Sequence, residues 1–211
     1  EANPGTCAAD KFKGYRQQAP NPLSMGKQPF QPGTLKKLGR IHDRAQALAA
    51  IETAINAGFS NFNLDLMHGL PDQTPEQALD DLNTALSFQP PHLSWYQLTI
   101  EPNTPLEAFV ERGDLPEPDA DLAADMYLMA CERLEAAGYL HYEISNWALP
   151  DRESRHNLTY WRNGQFLGVG PGAHSYLNRH RFHNLRSPRE YIRRMGGRPS
   201  RAATAVSTRM L

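Results

Sequence analysis

The chain alternates between strand-like and helix-like periodicity, and that alternation constrains its fold more than any other feature. SNFNLDL over 60–66 sets Phe62, Leu64 and Leu66 against Asn61, Asn63 and Asp65 with period two, as a strand does. After GLPDQ, Thr74 with Pro75 and Gln77 forms a capping box and leads into Ala78, Leu79, Leu82 and Leu86 at helical spacing. HLSWYQLTI over 92–100 is strand-like in its aromatic and β-branched content, and Glu101-Pro102 ends it. The same rhythm precedes and follows. A strand is expected over 21–28 (NPLSMGKQ) and a helical turn over 34–38. A helix capped by Asp43 then carries Ala47, Leu48, Ile51 and Ile55 and stops at Gly58. A long helix is expected over 119–137, closed by Gly138, and a strand over 140–144.

Strand–helix alternation implies parallel strands joined by right-handed crossovers, in an open sheet or a barrel, with ligands at the C-terminal strand ends. Glu1, Gln28, Asp65, Gln97 and Thr99 fall at or near such ends. Asn63 and Asp65 on an inward face would be costly to bury without partners, which a polar ligand could supply. The competing reading is an Asp that caps the next turn.

Composition excludes several classes. The 22 Lys and Arg against 23 Asp and Glu give a formal charge of -1, so the whole chain advertises no polyanionic partner. Arg179 to Arg201 is the exception, with eight arginines facing the single acid Glu190. Its aromatic interleaving is only Phe182 and Tyr191, and Pro188 and Gly196-Gly197 interrupt it, which disfavours a nucleic-acid interface. Cys7 and Cys131 are the only cysteines, too few for a disulfide framework or a cysteine metal cluster, and they fit a reducing cytoplasm. No apolar run approaches the roughly 18 residues a membrane span needs.

Beyond residue 145 the rhythm stops. RHNLTYW puts His156 and Tyr160 on one face if it is helical, with Asn157 beside them. Read from the residues alone, this is a buried His–Tyr hydrogen bond that anchors an aromatic helix with Trp161. In GVGPGAH, Gly168, Gly170 and Gly172 could cradle an anion, but such spacing more often marks a tight turn or close strand packing. His174 ends the segment and is a second-choice contact for a ligand. His141, His180 and His183 read as solvated or structural.

EANPGT, the LSMG-Q-F frame, LGRIH, NFNLDLMHGLP, LSWYQLTIEPNT, RHNLTYW and GVGPGAH stand in an order that resembles one family. This is the oxygen-independent coproporphyrinogen III oxidase-like family of radical S-adenosylmethionine proteins, and the HNxxY pattern resembles its haem-chaperone branch, HemW. The resemblance implies an α/β fold, the C-terminal part of a partial (β/α)6 TIM-like barrel followed by an α+β extension. Residues 1–145 would be the partial barrel from the end of its third strand, and residues 146–211 a truncated C-terminal region. The chain is thus expected to be a fragment, with the CxxxCxxC loop that holds a 4Fe-4S cluster lying upstream.

By the same resemblance, S-adenosylmethionine would be held by Glu1, Gln28, Arg40 and Asp65, with the backbone around Thr99 near the adenine. Their chemistry suits it. A guanidinium can take the methionyl carboxylate in bidentate fashion, a carboxylate can accept from the amino group, and Gln28 and Asp65 can bond ribose hydroxyls. Haem would be bound through His156 and Tyr160, and the implied partners are haem or porphyrin and a haem-acceptor protein. Coproporphyrinogen oxidation is the enzyme-class alternative, and without the cluster the chain alone is expected to be inactive. Pro22, Lys27, Pro29 and His68 depart from the family pattern, where arginine, an apolar residue, serine and tyrosine are usual. Lys27 is the costly one: alternation from an inward Gln28 would set its ammonium under the helix layer.

Overall fold

The structure is a computed structural model that describes residues 2, 12, 14, 16–17, 23–28 and 44–195, with Lys27 and Gln28 as backbone alone. Glu1, Arg40, Pro22, Pro29, Cys7, the expected turn at 34–38 and the Asp43 cap lie outside the described residues. The chain divides into two compact units, Glu1–Glu153 and Ser154–Leu211.

The first unit is a five-stranded sheet with helices packed on it. Strands β1 (Leu23–Gln28), β2 (Phe62–His68) and β3 (His92–Gln97) are parallel neighbours. Helix α1 (Arg44–Asn56) connects the first pair and α2 (Pro75–Ser87) the second. After β3 come α3 (Pro105–Glu111), α4 (Ala120–Ala136), β4 (Leu140–Glu143) and β5 (Asn146–Ala148). The strand order is β1-β2-β3-β5-β4, and β5 runs antiparallel to both neighbours. The strand at 140 therefore does not extend the parallel series next to β3. It returns through a tight turn, and β5, beyond residue 145 where the sequence shows no further unit, inserts between them.

Local chemistry explains most elements. Thr74 caps α2 as a capping box, its hydroxyl accepting from Gln77 N at 3.3 Å while Gln77 Oε1 accepts from Thr74 N at 3.1 Å. Thr104 caps α3 before Pro105, its hydroxyl accepting from Glu107 N at 3.3 Å; the periodicity does not announce this helix because it is only seven residues long and buries none of them. Asp119 caps α4 through Leu122 N. Gly58 ends α1 with a φ of +89°, the left-handed conformation that favours glycine at a helix end.

Helices α1, α2 and α4 each bury an alanine-rich stripe: Ala47, Ile51 and Ala54; Ala78, Leu82 and Ala85; Ala123, Met126, Ala130 and Leu134. Small residues let the helices sit close to the sheet, where Phe62, Leu64, Leu66, Leu93, Trp95 and Trp147 complete one core. Between Met25↔Leu64 and Gln28↔Leu66 the pairing shifts by one residue, so strict alternation does not carry through Lys27 to Gln28.

The second unit holds helix α5 (Arg155–Trp161), a hairpin of β6 (His174–Leu177) and β7 (His180–His183), and helix α6 (Pro188–Met195). Asn178 and Arg179 turn the hairpin with φ of 50° and 63°, the positive pair of a type I′ turn.

Candidate functional site

Period-two alternation sorts the sheet into two faces. Ser24, Asn63, Asp65, His92, Ser94 and Asn146 share the face away from the helices, and the register sets Ser24 against Asn63, Asn63 against His92 and Ser94 against Asn146. These side chains form one connected hydrogen-bond network. Asn63 Nδ2 donates to Asp65 Oδ1 at 2.7 Å and to Ser24 Oγ at 3.0 Å, and Ser24 Oγ donates to Asp65 Oδ2 at 3.3 Å. On the other side, Asn63 Oδ1 lies 2.7 Å from His92 Nδ1, and His92 Nε2 lies 2.6 Å from the Tyr142 hydroxyl. Ser94 Oγ donates to Asn146 Oδ1 at 2.6 Å, and Asn146 Nδ2 donates to Glu143.

The acceptors fix the tautomer of His92. Asn63 Oδ1 can only accept, so Nδ1 carries the proton and Nε2 accepts from Tyr142. Burial lowers the His92 pKa from 6.5 to about 4, against the opposing charges of Glu143 and Glu153, and the ring is neutral at pH 7. Donors run from Tyr142 through His92 and Asn63 towards the Asp65 carboxylate, and from Ser94 through Asn146 towards Glu143. Both chains end on an acid that can only accept.

This corrects two expectations. Asp65 stands at the centre of β2, which continues to His68, and not at the strand's C-terminal end. Asn63 and Asp65 are satisfied by protein donors, so a ligand is not needed to account for their burial. Neither is Asp65 the cap of a following turn. Gly26 contributes by absence, since a Cβ there would stand 3.1 Å from Asp65 Oδ2. Ser24, His92, Ser94, Tyr142, Glu143 and Asn146 are the network members that sequence reasoning missed. The available signal was parity, because HLSWY places His92 and Ser94 on the same face as Asn63 and Asp65.

Thr99 lies two residues beyond β3 and is exposed. Gln28 ends β1, and its side chain lies outside the described residues, as do Glu1 and Arg40.

In the second unit, α5 is helical as the spacing of RHNLTYW allows, with Ser154 as its cap. His156 and Tyr160 share a face, but both are exposed and their rings meet edge to face at 4.9 Å. The buried His–Tyr hydrogen bond is not what is found. Tyr160 in turn packs edge-on against Phe166 at 4.7 Å. The glycine segment is a bonded turn: Gly168 N donates to Ser175 Oγ, Gly172 N donates to Leu185 O, and Asn184 Nδ2 donates to the Gly168 and Gly170 carbonyls. A Cβ on Gly168 would lie 2.2 Å from His174 O, so close strand packing accounts for this glycine.

A 4Fe-4S cluster held by three cysteines does not fit the residues present, because the chain has two cysteines and no group of three or more His, Cys, Asp or Glu among the described residues is placed for a metal. An exposed imidazole such as His156 does fit a haem axial ligand. No helix among the described residues is long and apolar enough to cross a membrane.

No family model matches the chain. Among solved structures, its fold is similar to that of coproporphyrinogen III oxidase HemN from Escherichia coli, a radical SAM enzyme, with a TM-score of 0.73 at 23% identity over 92% of this chain and 48% of that one. A second likeness is to an N-terminally deleted Elp3 of the archaeon Methanocaldococcus infernus, with a TM-score of 0.55 at 19% identity over 61% and 31%. The architecture is thus α/β, with the fold of part of a TIM-like barrel. Among curated proteins, the chain is 47% identical to the heme chaperone HemW of Haemophilus influenzae, over 92% of this chain and 51% of that protein. It is 50% identical to the same-named protein of E. coli over 82% and 45%, and 41% identical to that of Bacillus subtilis over 91% and 51%. The chain belongs to the family of these HemW proteins and spans about half the length of the relatives it matches.

Proposed function

We propose that the chain is part of a haem chaperone that binds haem through His156, with Tyr160 beside it, and passes it to an acceptor protein. The observation that carries this reading is the 47% identity to a heme chaperone across 92% of the chain. Its geometric support is an exposed imidazole on α5, braced by an edge-to-face contact with Tyr160. S-adenosylmethionine is assigned to Glu1, Gln28, Arg40, Asp65 and the backbone near Thr99, with the cluster supplied by residues other than this chain's two cysteines. In that assignment the network's task is to orient the Asp65 carboxylate for a ligand hydroxyl. The setting is taken to be the cytoplasm.

The test is a haem titration. The chain is expected to shift the Soret band on binding haem, and His156→Ala to weaken binding about tenfold or more. Unchanged affinity in that variant removes His156 as the ligand. Turnover of coproporphyrinogen by the intact, cluster-bearing protein would instead favour the oxidase.

A further inference from the structure

In the second unit two imidazoles face each other across a hairpin, and nothing in the preceding reading uses them as a pair. We propose that His174 and His183 form a two-ligand site for a borderline divalent transition ion of the zinc class, with its remaining coordination positions open.

The hairpin register makes the pair. His174 is the partner of His183, and counting outward from the two-residue turn through Leu177↔His180, Tyr176↔Arg181 and Ser175↔Phe182 makes theirs a non-hydrogen-bonded position. At such positions opposing side chains approach most closely. The turn does not slip, because Asn184 N bonds to Ala173 O at 2.9 Å immediately beyond the pair.

The spacing of the rings suits a shared ion. Two imidazoles that bind one tetrahedral ion at about 2.0–2.1 Å place their ring centres roughly 5 Å apart. The His174 and His183 rings stand 5.3 Å apart at an interplanar angle of 40°, neither stacked nor edge to face. His183 is also set up for ligation. Its Nδ1 lies 2.9 Å from the Asn184 carbonyl, which can only accept, so Nδ1 is protonated and Nε2 keeps its lone pair. A backbone carbonyl on the distal nitrogen is the usual outer partner of a metal-bound histidine. The carbonyl is itself fixed, since the Asn184 side chain is tied to Gly168 and Gly170.

Gly168 runs beside the His174 backbone, where a Cβ would lie 2.2 Å from His174 O. With no third His, Cys, Asp or Glu grouped at the site among the described residues, solvent completes the coordination, and the ion is exchangeable rather than structural. Imidazole donors suit zinc, copper and nickel over magnesium or calcium.

Zinc titration calorimetry on the full chain, and on His174→Gln, His183→Gln, their double variant and His180→Gln, tests this. His180 is the control because alternation puts it on the other face of the hairpin. One ion is expected to bind the unaltered chain, and each single variant to lose about tenfold or more in affinity, since the second imidazole acts intramolecularly. The double variant should be little worse than either single one, and His180→Gln should match the unaltered chain. Losses under twofold in the single variants, or an equal loss in His180→Gln, would overturn the site. The readout is zinc and not haem, so failure of the haem titration leaves it standing, and its own failure leaves the haem reading untouched.

Discussion

The two faces of the five-stranded sheet bury polar atoms in opposite ways. On the face away from the helices, Asn63, Asp65, His92, Ser94 and Asn146 are joined by side-chain hydrogen bonds. On the helix side, His68 Nδ1, Trp95 Nε1 and Trp147 Nε1 are buried with no hydrogen-bond partner. The difference teaches what each face is for. The helix side is stabilised by packing, so it tolerates a few unpaired nitrogens as the cost of burying large flat rings. The other face has specificity to keep: each bond there fixes the direction of a neighbour, and the fixed end product is the Asp65 carboxylate.

The largest expected effect breaks the packed face. Leu93 is fully buried beside its cross-strand partner Trp147 on the helix-covered face, and Leu93→Ala is expected to destabilise the chain by about 2–5 kcal/mol in denaturant titration. A cost under about 1 kcal/mol would mean that this face is not the main source of stability.

A smaller loss is expected on the bonded face. Asn63 engages Ser24, Asp65, His92 and Ser94 at once, so Asn63→Ala leaves several half-buried groups short of a partner and should cost about 1–3 kcal/mol. In a double-mutant cycle with His92→Gln the two losses should be non-additive. Additive losses would show independent pairs where the geometry draws a network.

How much of this was legible beforehand depends on the kind of interaction. The Thr74 capping box, the Gly58 stop and the strand parity around Leu64 are local, so the sequence announces them. The β5 insertion, the Asn63–His92 contact across 29 residues and the bulge before Gln28 are set by tertiary pairing, and no window of a dozen residues contains both partners. His156 was legible only as a position on a helix face. Its exposure follows from how α5 packs, which spacing does not encode. The His174–His183 pair needed the hairpin register, which depends on a turn of Asn178 and Arg179 with no glycine to signal it.

The smallest effect at neutral pH separates the two buried histidines, and acid enlarges it. Burial lowers both His68 and His92 from 6.5 to about 4. Between those values the unfolded chain binds protons that the folded chain refuses. Stability is therefore full above about pH 6.5 and falls as the pH drops towards 4, by up to roughly 3 kcal/mol for each ring. His68 lies flat on Trp95, with ring centres 5.0 Å apart at 7°, and its Nδ1 has no partner. His68→Phe keeps a ring against the indole and deletes the unpaired nitrogen, so melting at pH 7 should change by less than about 1.5 kcal/mol. The acid arm of the stability profile should become shallower by His68's share, while His92 keeps the remainder. If the profile between pH 6.5 and 4 is unchanged in His68→Phe, then His68 is protonated in the folded chain and the helix-side face is wetter than its packing implies.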